Sequence, residues 1–296
     1  MLRRVTTQHL LLTRFNLRVA GLDNDKRGEP VLGAEWMRER LDLFERYCAP
    51  SVREQTNREF TWLLFLDRDT SAEARSRIAK AVAGAPDARL VFLPPVAGDG
   101  PVAAAALQHV QGTPDLLVTT RLDNDDALHE DALEVVRARA RAERREFLNL
   151  RFGYVTDGRT ARVKSHKYGH YTTLVEPASG APFRTVHCGL PHGRARQFAP
   201  FRQIADRPYW LEVIHTRNAA NRGLNEMGSY NLKSARGLQR WLRFEVIRPA
   251  RRRFWPAHYR SEHPLQAVAG PFNLSDLPTH QVPPHRLGGQ PPPVVT

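Results

Sequence analysis

Apolar and polar positions along this chain fall into blocks that alternate between strand-like and helix-like periods. His9 to Phe15 reads as a strand, and Asn16 to Gly33, broken by Gly21, Gly28 and Pro30, reads as the loop at its C-terminal end. Met37, Leu41, Phe44 and Cys48 recur at helical spacing on one face, with Pro50 expected to stop the helix. Phe60 to Leu66 is the most apolar strand and finishes at Asp67. Thr70 and Glu73 match a capping box for a helix whose inner face is Ala74, Ile78 and Val82. Arg89 to Leu93 is a third strand, an Ala-rich segment from Val102 to Val110 follows, and Leu116 to Thr120 is a fourth strand.

The period then changes. His129 to Arg145 reads as a helix with Leu128, Ala132, Val135 and Val136 inward and arginines outward. After it come shorter strands, Phe147 to Phe152, Ala161 to Lys164 and Thr172 to Val175, with a turn at Asp157-Gly158 and a last apolar element from Trp210 to Ile214. Regular strand-helix alternation predicts an α/β fold with a parallel, doubly wound sheet in the first half, and the later pattern predicts an antiparallel addition to it. Ligands of such sheets sit outside the C-terminal strand ends, where Asn16, Asp67 and Asp123 all fall.

From Ser234 to Arg253 the pattern changes again, with Leu238, Trp241, Leu242, Phe244 and Ile247 alternating with Arg236, Arg240, Arg243 and Arg248. This predicts a basic amphipathic helical segment over 234–263, suited to an anionic membrane surface or to packing on the domain. From Pro264 to the end, Pro and Gly erase the periodicity, so 264–296 reads as a flexible tail behind one main domain, 1–233.

Charge sharpens the picture more than composition does. With 44 Lys+Arg against 31 Asp+Glu the formal net charge is +13, which points to anionic partners: nucleotides, nucleic acid or acidic headgroups. Only Cys48 and Cys188 occur, too few for a disulfide framework and in keeping with a reducing compartment. No apolar run reaches the roughly 18 residues that span a bilayer, and the start lacks a signal-peptide core. A cytoplasmic location is therefore expected.

Against this basic background, Asp123, Asp125 and Asp126 end the fourth strand. Carboxylates so close repel, so a site that keeps them ionised calls for a cation, and hard oxygen ligands select Mg²⁺ or Mn²⁺. Three metal readings compete. An EF-hand using Asp123, Asp125 and Glu134 lacks the glycine its turn needs, since Leu128 stands there. A two-metal phosphoesterase would recruit Asp67, Asp69 or Asp157. An ion bridging the diphosphate of a nucleotide-activated sugar needs only the short acidic motif. The bland alternative is a solvated acidic turn capping the next helix.

The wording of the motifs favours the third. Leu12-Thr-Arg-Phe-Asn16, Arg40 to Val52, Val118-Thr-Thr-Arg-Leu-Asp-Asn-Asp-Asp-Ala-Leu128 and Trp210-Leu-Glu-Val-Ile-His215 together resemble the rhamnosyltransferase family of bacterial GT-A glycosyltransferases, over roughly residues 8 to 222. The resemblance implies one GT-A-like α/β domain, a mixed sheet with helices on both faces. Its half 1–127 would hold the nucleotide and its half 128–233 would shape the acceptor pocket. Thr13, Arg14, Asn16, Asp67 and Arg121 would then line the nucleotide, and Asp123, Asp125 and His215 would hold Mn²⁺ or Mg²⁺, although Thr216 stands where the family has Gly after the His. The donor would be dTDP-rhamnose or a UDP-sugar, and the acceptor a glycan, glycolipid or metabolite.

Transfer with inversion also needs a base on the acceptor hydroxyl. Glu176, after the Thr172 to Val175 strand, is the first candidate, with Asp126, Asp206 and Glu212 as further carboxylates near the expected catalytic end. Lys164, His166 and Lys167 are read as facing solvent. The competing class is a nucleic-acid-binding protein, motivated by the charge alone; no zinc finger, helix-turn-helix or RNA-recognition signature accompanies it, so nucleic acid is not an expected partner.

Overall fold

A computed structural model of the chain describes residues 5–20, 32–141, 143–156, 161–169, 171–179, 182–188 and 192–215. The turn at Asp157-Gly158, Thr216 and the end of the resemblance beyond it, the basic segment 234–263 and the tail 264–296 lie outside the described residues.

Four strands form the parallel half: β1 (Thr7–Arg14), β2 (Thr61–Asp67), β3 (Ala88–Leu93) and β4 (Leu116–Arg121), in spatial order β3-β2-β1-β4. Between them run α1 (Ala34–Leu43), a π turn (Phe44–Cys48), α2 (Ala49–Arg53), α3 (Ala72–Val82) and α4 (Gly100–Leu107). Successive side chains of a strand point to opposite faces, and both faces of this half are covered. Leu11, Trp62, Leu64 and Leu66 pack with Phe44, Val52 and Ile78 on one side. Leu10, Leu12, Leu63, Phe65 and Leu117 pack with Val102 and Ala106 of α4 on the other. That double burial is why the centres of β1, β2 and β4 are runs of consecutive apolar residues, Leu10 to Leu12, Trp62 to Leu66 and Leu116 to Val118.

The second half contains β5 (Ala127–Leu128), α5 (Ala132–Arg139), β6 (Glu146–Thr156), β7 (Ala161–Ser165), β8 (Thr172–Pro177) and β9 (Phe201–Val213). β8 joins β4 antiparallel, β6 joins β8 antiparallel, and β9 lies parallel to β6. β5 pairs with β9 at the edge of the sheet, and β7 pairs with β6 off the main path. The expected mixed α/β sheet with helices on both faces is observed, with one departure from the antiparallel pattern at β6 and β9. The link 122–126 runs from β4 in mid-sheet to β5 on β9, so β9 is delivered to the tip of β4.

Several local expectations change. Pro50 does not end the helix, because the π turn precedes it and Pro50 falls in the first turn of α2, where a missing N–H costs no hydrogen bond. The cap of α3 is Ser71, whose Oγ accepts from the Ala74 amide; Thr70 is otherwise engaged, donating to the Asp67 carbonyl at 2.6 Å. The helix expected over 129–145 is confined to α5, because Ala127 and Leu128 are drawn into the sheet. The same pairing excludes an EF-hand loop there. β9 is far longer than Trp210 to Ile214, since its first half carries charged residues that hide a strand.

Candidate active site

The acidic tip is fixed from three directions. At the end of β1, the Leu12 carbonyl accepts from the Leu122 amide, and the Asn124 side chain donates to the Phe15 carbonyl at 2.6 Å. From β9, the Val213 amide donates to Asp126 Oδ1 at 3.0 Å. From the start of β8, the Tyr171 hydroxyl donates to Asp126 Oδ2 at 2.7 Å, with its ring stacked on Trp210 at 4.2 Å. Asp126 therefore fastens the tip to the second half and is not placed as a base. Burial, with Asp125, Asp123 and Glu212 nearby, raises its carboxyl well above the usual range.

The other two tip carboxylates have cationic partners. Arg121 forks Asp123, Nε to Oδ1 and Nη2 to Oδ2, each at 3.0 Å. Asp125 Oδ2 accepts from Arg40 Nη1 at 2.5 Å and lies 3.0 Å from His215 Nε2. Burial pushes the Asp125 carboxyl up, but Arg40 and His215 outweigh it and hold it below its ordinary value. Residues 90 positions apart thus meet, because β9 carries His215 to the end of β4.

The nucleotide-side residues divide. Asn16 lies at the β1 end, bonded to Thr70 and accepting from the Asp67 amide at 3.3 Å. Asp67 is almost wholly buried; Oδ1 accepts from the Asp69 amide, while Oδ2 has no hydrogen bond among the described residues and sits 3.6 Å from Arg18 Nε. Arg14 reaches Asp99 at 2.8 Å. Thr13 departs from expectation: it is fully buried and its hydroxyl accepts from the Trp62 indole, because side-chain alternation turns it into the core.

Glu176 also departs from expectation. It pairs in register with Leu117, at the opposite end of β4 from the tip. It is fully buried, accepts from the Arg184 and Thr185 amides and pairs with Arg145 at 3.1 Å, so it anchors a loop. Asp206 is exposed and accepts from the Tyr209 hydroxyl. Glu212, buried one residue before Val213, is the carboxylate of the three whose charge bears on Asp126. Its Oε2 takes Lys164 Nζ at 2.6 Å with His166 at 3.4 Å, and its Oε1 is buried without a hydrogen bond among the described residues. Lys164 and His166 are therefore ion partners of a buried acid, not merely solvent-facing. Burial raises the Glu212 carboxyl, but His166 and Lys164 bring it below its usual value.

The acidic motif was legible in the sequence, but Arg40, Asn124 and Tyr171 were not assigned roles. Arg40 and Asn124 stand inside the quoted motifs, which was the available signal; Tyr171 had none.

A Mg²⁺ or Mn²⁺ in a nucleotide site commonly takes one or two carboxylates and completes its shell with phosphate and water. Asp125 Oδ1 carries no hydrogen bond among the described residues, and His215 lies 3.0 Å from the other carboxylate oxygen, Oδ2. No group of three His, Cys, Asp or Glu among the described residues converges to cage an ion. The donor set fits an ion shared with a diphosphate and does not fit a closed protein cage.

The polar and acidic strand ends gathered around this tip lie where α/β sheets hold their ligands, outside the C-terminal ends of the strands. The sequence matches the family described as "Putative rhamnosyl transferase" over residues 8–226. The chain belongs to this rhamnosyl transferase family. No curated protein matches it.

Similar solved structures include residues 1–349 of S. aureus TarS in complex with UDP-GlcNAc, at 12% identity and TM-score 0.45, covering 72% of this chain and 60% of that one. Another is the mannosyltransferase PcManGT from Pyrobaculum calidifontis in complex with GDP-Man and Mn²⁺, at 14% identity and TM-score 0.41, covering 72% and 58%. A protein described as "putative nucleotide-diphospho-sugar transferase" from Desulfovibrio desulfuricans G20 aligns at 10% identity and TM-score 0.37, covering 81% and 96%. The chain thus spans about 60% of the TarS fragment.

Proposed function

We propose that this enzyme transfers a sugar, rhamnose in the family's sense, from a nucleoside-diphosphate donor such as dTDP-rhamnose or a UDP-sugar to a glycan, glycolipid or metabolite acceptor. The observation that carries the reading is the meeting of His215 with Asp125 at 3.0 Å, at the end of a strand whose neighbour ends in Asn16. Asp67, with a buried oxygen lacking a hydrogen bond, is suited to accept an N–H of the base, with Arg18 close by. Arg14 and Arg121 supply positive charge for the phosphates.

A divalent ion on Asp125 and His215, Mn²⁺ or Mg²⁺, would stabilise the charge developing on the departing nucleoside diphosphate. Asp123, held by Arg121, would stand beside that ion as a further acidic group. The acceptor proton goes to Glu212, whose pairing with Lys164 and His166 keeps it ionised and available as a base. We assign the enzyme to the cytoplasm, with peripheral contact at an anionic membrane as part of the proposal; no helix among the described residues is long and apolar enough to cross a membrane.

The test is a panel of nucleotide sugars incubated with the full chain and Mn²⁺, scored for release of nucleoside diphosphate. dTDP-rhamnose or a UDP-sugar is expected to be turned over, and loss of that turnover in EDTA supports the ion. Absence of release from every donor, together with no thermal stabilisation by dTDP or UDP, overturns the reading.

A further inference from the structure

Arg40 stands where ion and donor meet. It projects from α1, its guanidinium lies over the Trp36 ring at 4.9 Å, and its side chain is only 11% exposed. Nη1 reaches both Asn124 Oδ1 at 3.2 Å and Asp125 Oδ2 at 2.5 Å. The contrast with Arg121 is informative. Arg121 engages Asp123 through two nitrogens and two oxygens, the fork geometry that makes such pairs strong. Arg40 holds Asp125 through one nitrogen, and its Nε and Nη2 make no hydrogen bond among the described residues. Two donors of a planar fork therefore remain for a second anion.

The carboxylate oxygen that Arg40 holds is also the one beside His215. An ion on Asp125 would lie within a few ångströms of the guanidinium, and two positive charges at that separation in a half-dry cleft repel strongly. A phosphate reverses the balance, because Nε and Nη2 match two phosphate oxygens and the anion attracts both cations.

We propose that Arg40 and a divalent ion are alternative partners of Asp125, and that the donor's diphosphate resolves the competition by taking Arg40 as its own ligand. Trp36 keeps the guanidinium in place during the exchange, since a stacked arginine can rotate over the ring without leaving it. By linkage, ion and nucleotide then bind cooperatively, each raising the affinity of the other. This rests on the donor and ion reading above and adds a residue to it.

The test is Mn²⁺ titration of the full chain, followed by the electron paramagnetic resonance signal of free Mn²⁺, with and without saturating UDP or dTDP. The same nucleotides are titrated calorimetrically in EDTA. In the wild type, nucleotide is expected to tighten Mn²⁺ binding by about tenfold or more. In Arg40→Gln, Mn²⁺ alone is expected to bind about tenfold more tightly, nucleotide in EDTA about tenfold more weakly, and the mutual enhancement is expected to shrink. A residue that merely held the fold would not strengthen one ligand while weakening the other.

Mn²⁺ affinity equal in wild type and Arg40→Gln overturns the competition and leaves the ion reading standing. Mn²⁺ bound by neither protein, with nucleotide still bound, removes the ion reading and the competition with it. Binding of neither nucleotide overturns the donor reading itself. Should Arg40→Gln fail to melt cooperatively, Arg40→Lys decides: the charge is kept and the fork lost, so Mn²⁺ affinity stays at the wild-type level while nucleotide affinity falls. Unchanged nucleotide affinity in Arg40→Lys overturns the proposal.

Discussion

The two halves of the sheet use buried polar groups in opposite ways. In the parallel half, β1, β2 and β4 bury only neutral polar groups such as His9, Thr119 and Thr120 along their length, and their acidic chemistry is concentrated at the C-terminal ends, in Asp67 and the 123–126 tip beside Asn16. In the second half the strands bury polar groups along their length: Glu146, Asn149, Glu176 and Glu212 are each less than 5% exposed. Each has a partner from another element: Arg202, Gln203, Arg145 and Lys164. The parallel half gathers its acidic groups at strand ends, whereas in the second half Glu146, Asn149 and Glu176 tie strands and loops together and Glu212 is the one of the four proposed to act on a ligand. Burial of a carboxylate is thus a weak guide to catalysis here; what matters is which end of the sheet it occupies.

The largest effect expected on that contrast is at Gly153 in β6. A Cβ there would lie 1.9 Å from the Trp210 ring, inside the stack that positions Tyr171 against Asp126. Gly153→Ala should cost about 3 kcal/mol or more, because indole and backbone must both shift. Gly84→Ala, with nothing within 4 Å but a φ of +84°, should cost only about 1 kcal/mol from its left-handed backbone. Urea unfolding of both variants measures the difference, and near-equal midpoints would mean that the stack yields without strain.

Asp125 and Asp126 sharpen the comparison, since adjacent carboxylates fall on its two sides. Asp125→Asn should lower kcat by about a hundredfold or more, through loss of charge at the site of the leaving group, with a modest change in Tm. Asp126→Asn should instead lower stability by roughly 1–3 kcal/mol, since the amide cannot accept from both Val213 and Tyr171. Turnover and melting curves of the pair decide it; the reverse assignment would exchange their roles.

Glu176 tests the other side. Glu176→Gln should destabilise by about 2 kcal/mol, leaving the Arg145 charge poorly matched, while kcat of the folded fraction stays at the wild-type level. Glu212→Gln should show the converse, a drop in kcat of about a hundredfold with little change in donor binding. A large kcat loss in Glu176→Gln would return it to the active site.

Why one half was readable and the other less so follows from where the information lies. A strand such as β4 that ends abruptly in Asp123, Asp125 and Asp126 carries its chemistry in consecutive letters, and apolar blocks alone fix the layers around it. Glu176 was misread because a carboxylate after a strand looks the same at either end of a sheet, and only the antiparallel register with Leu117 shows which end it occupies. β9 was shortened because Phe201 to Arg207 mixes charge with apolar residues, and its pairing with β6 is a tertiary fact. Arg40 stands inside a motif of the sequence, but its partner Asp125 is 85 residues away, so only the fold shows which group it meets.

The seam between the halves gives the smallest effect. His9 in β1, Thr120 in β4 and Thr173 in β8 form a buried chain, with His9 Nε2 at 2.8 Å from the Thr120 hydroxyl and that hydroxyl at 2.7 Å from Thr173. Burial first, and Arg137 second, lowers the His9 pKa from 6.5 to about 3, so the folded protein keeps the ring neutral. Below the unfolded value the unfolded chain binds the proton and the folded chain does not. Stability therefore falls as pH drops through the window between those two values and is fully present above it. From about pH 6.5 to about pH 5 the single group should remove about 1.5 kcal/mol. His9→Gln keeps a hydrogen-bonding group without a titrating proton, so its unfolding free energy should lose that much less over the same interval. Parallel pH profiles for the two proteins would show that His9 carries no proton linkage and that the seam is held by packing alone.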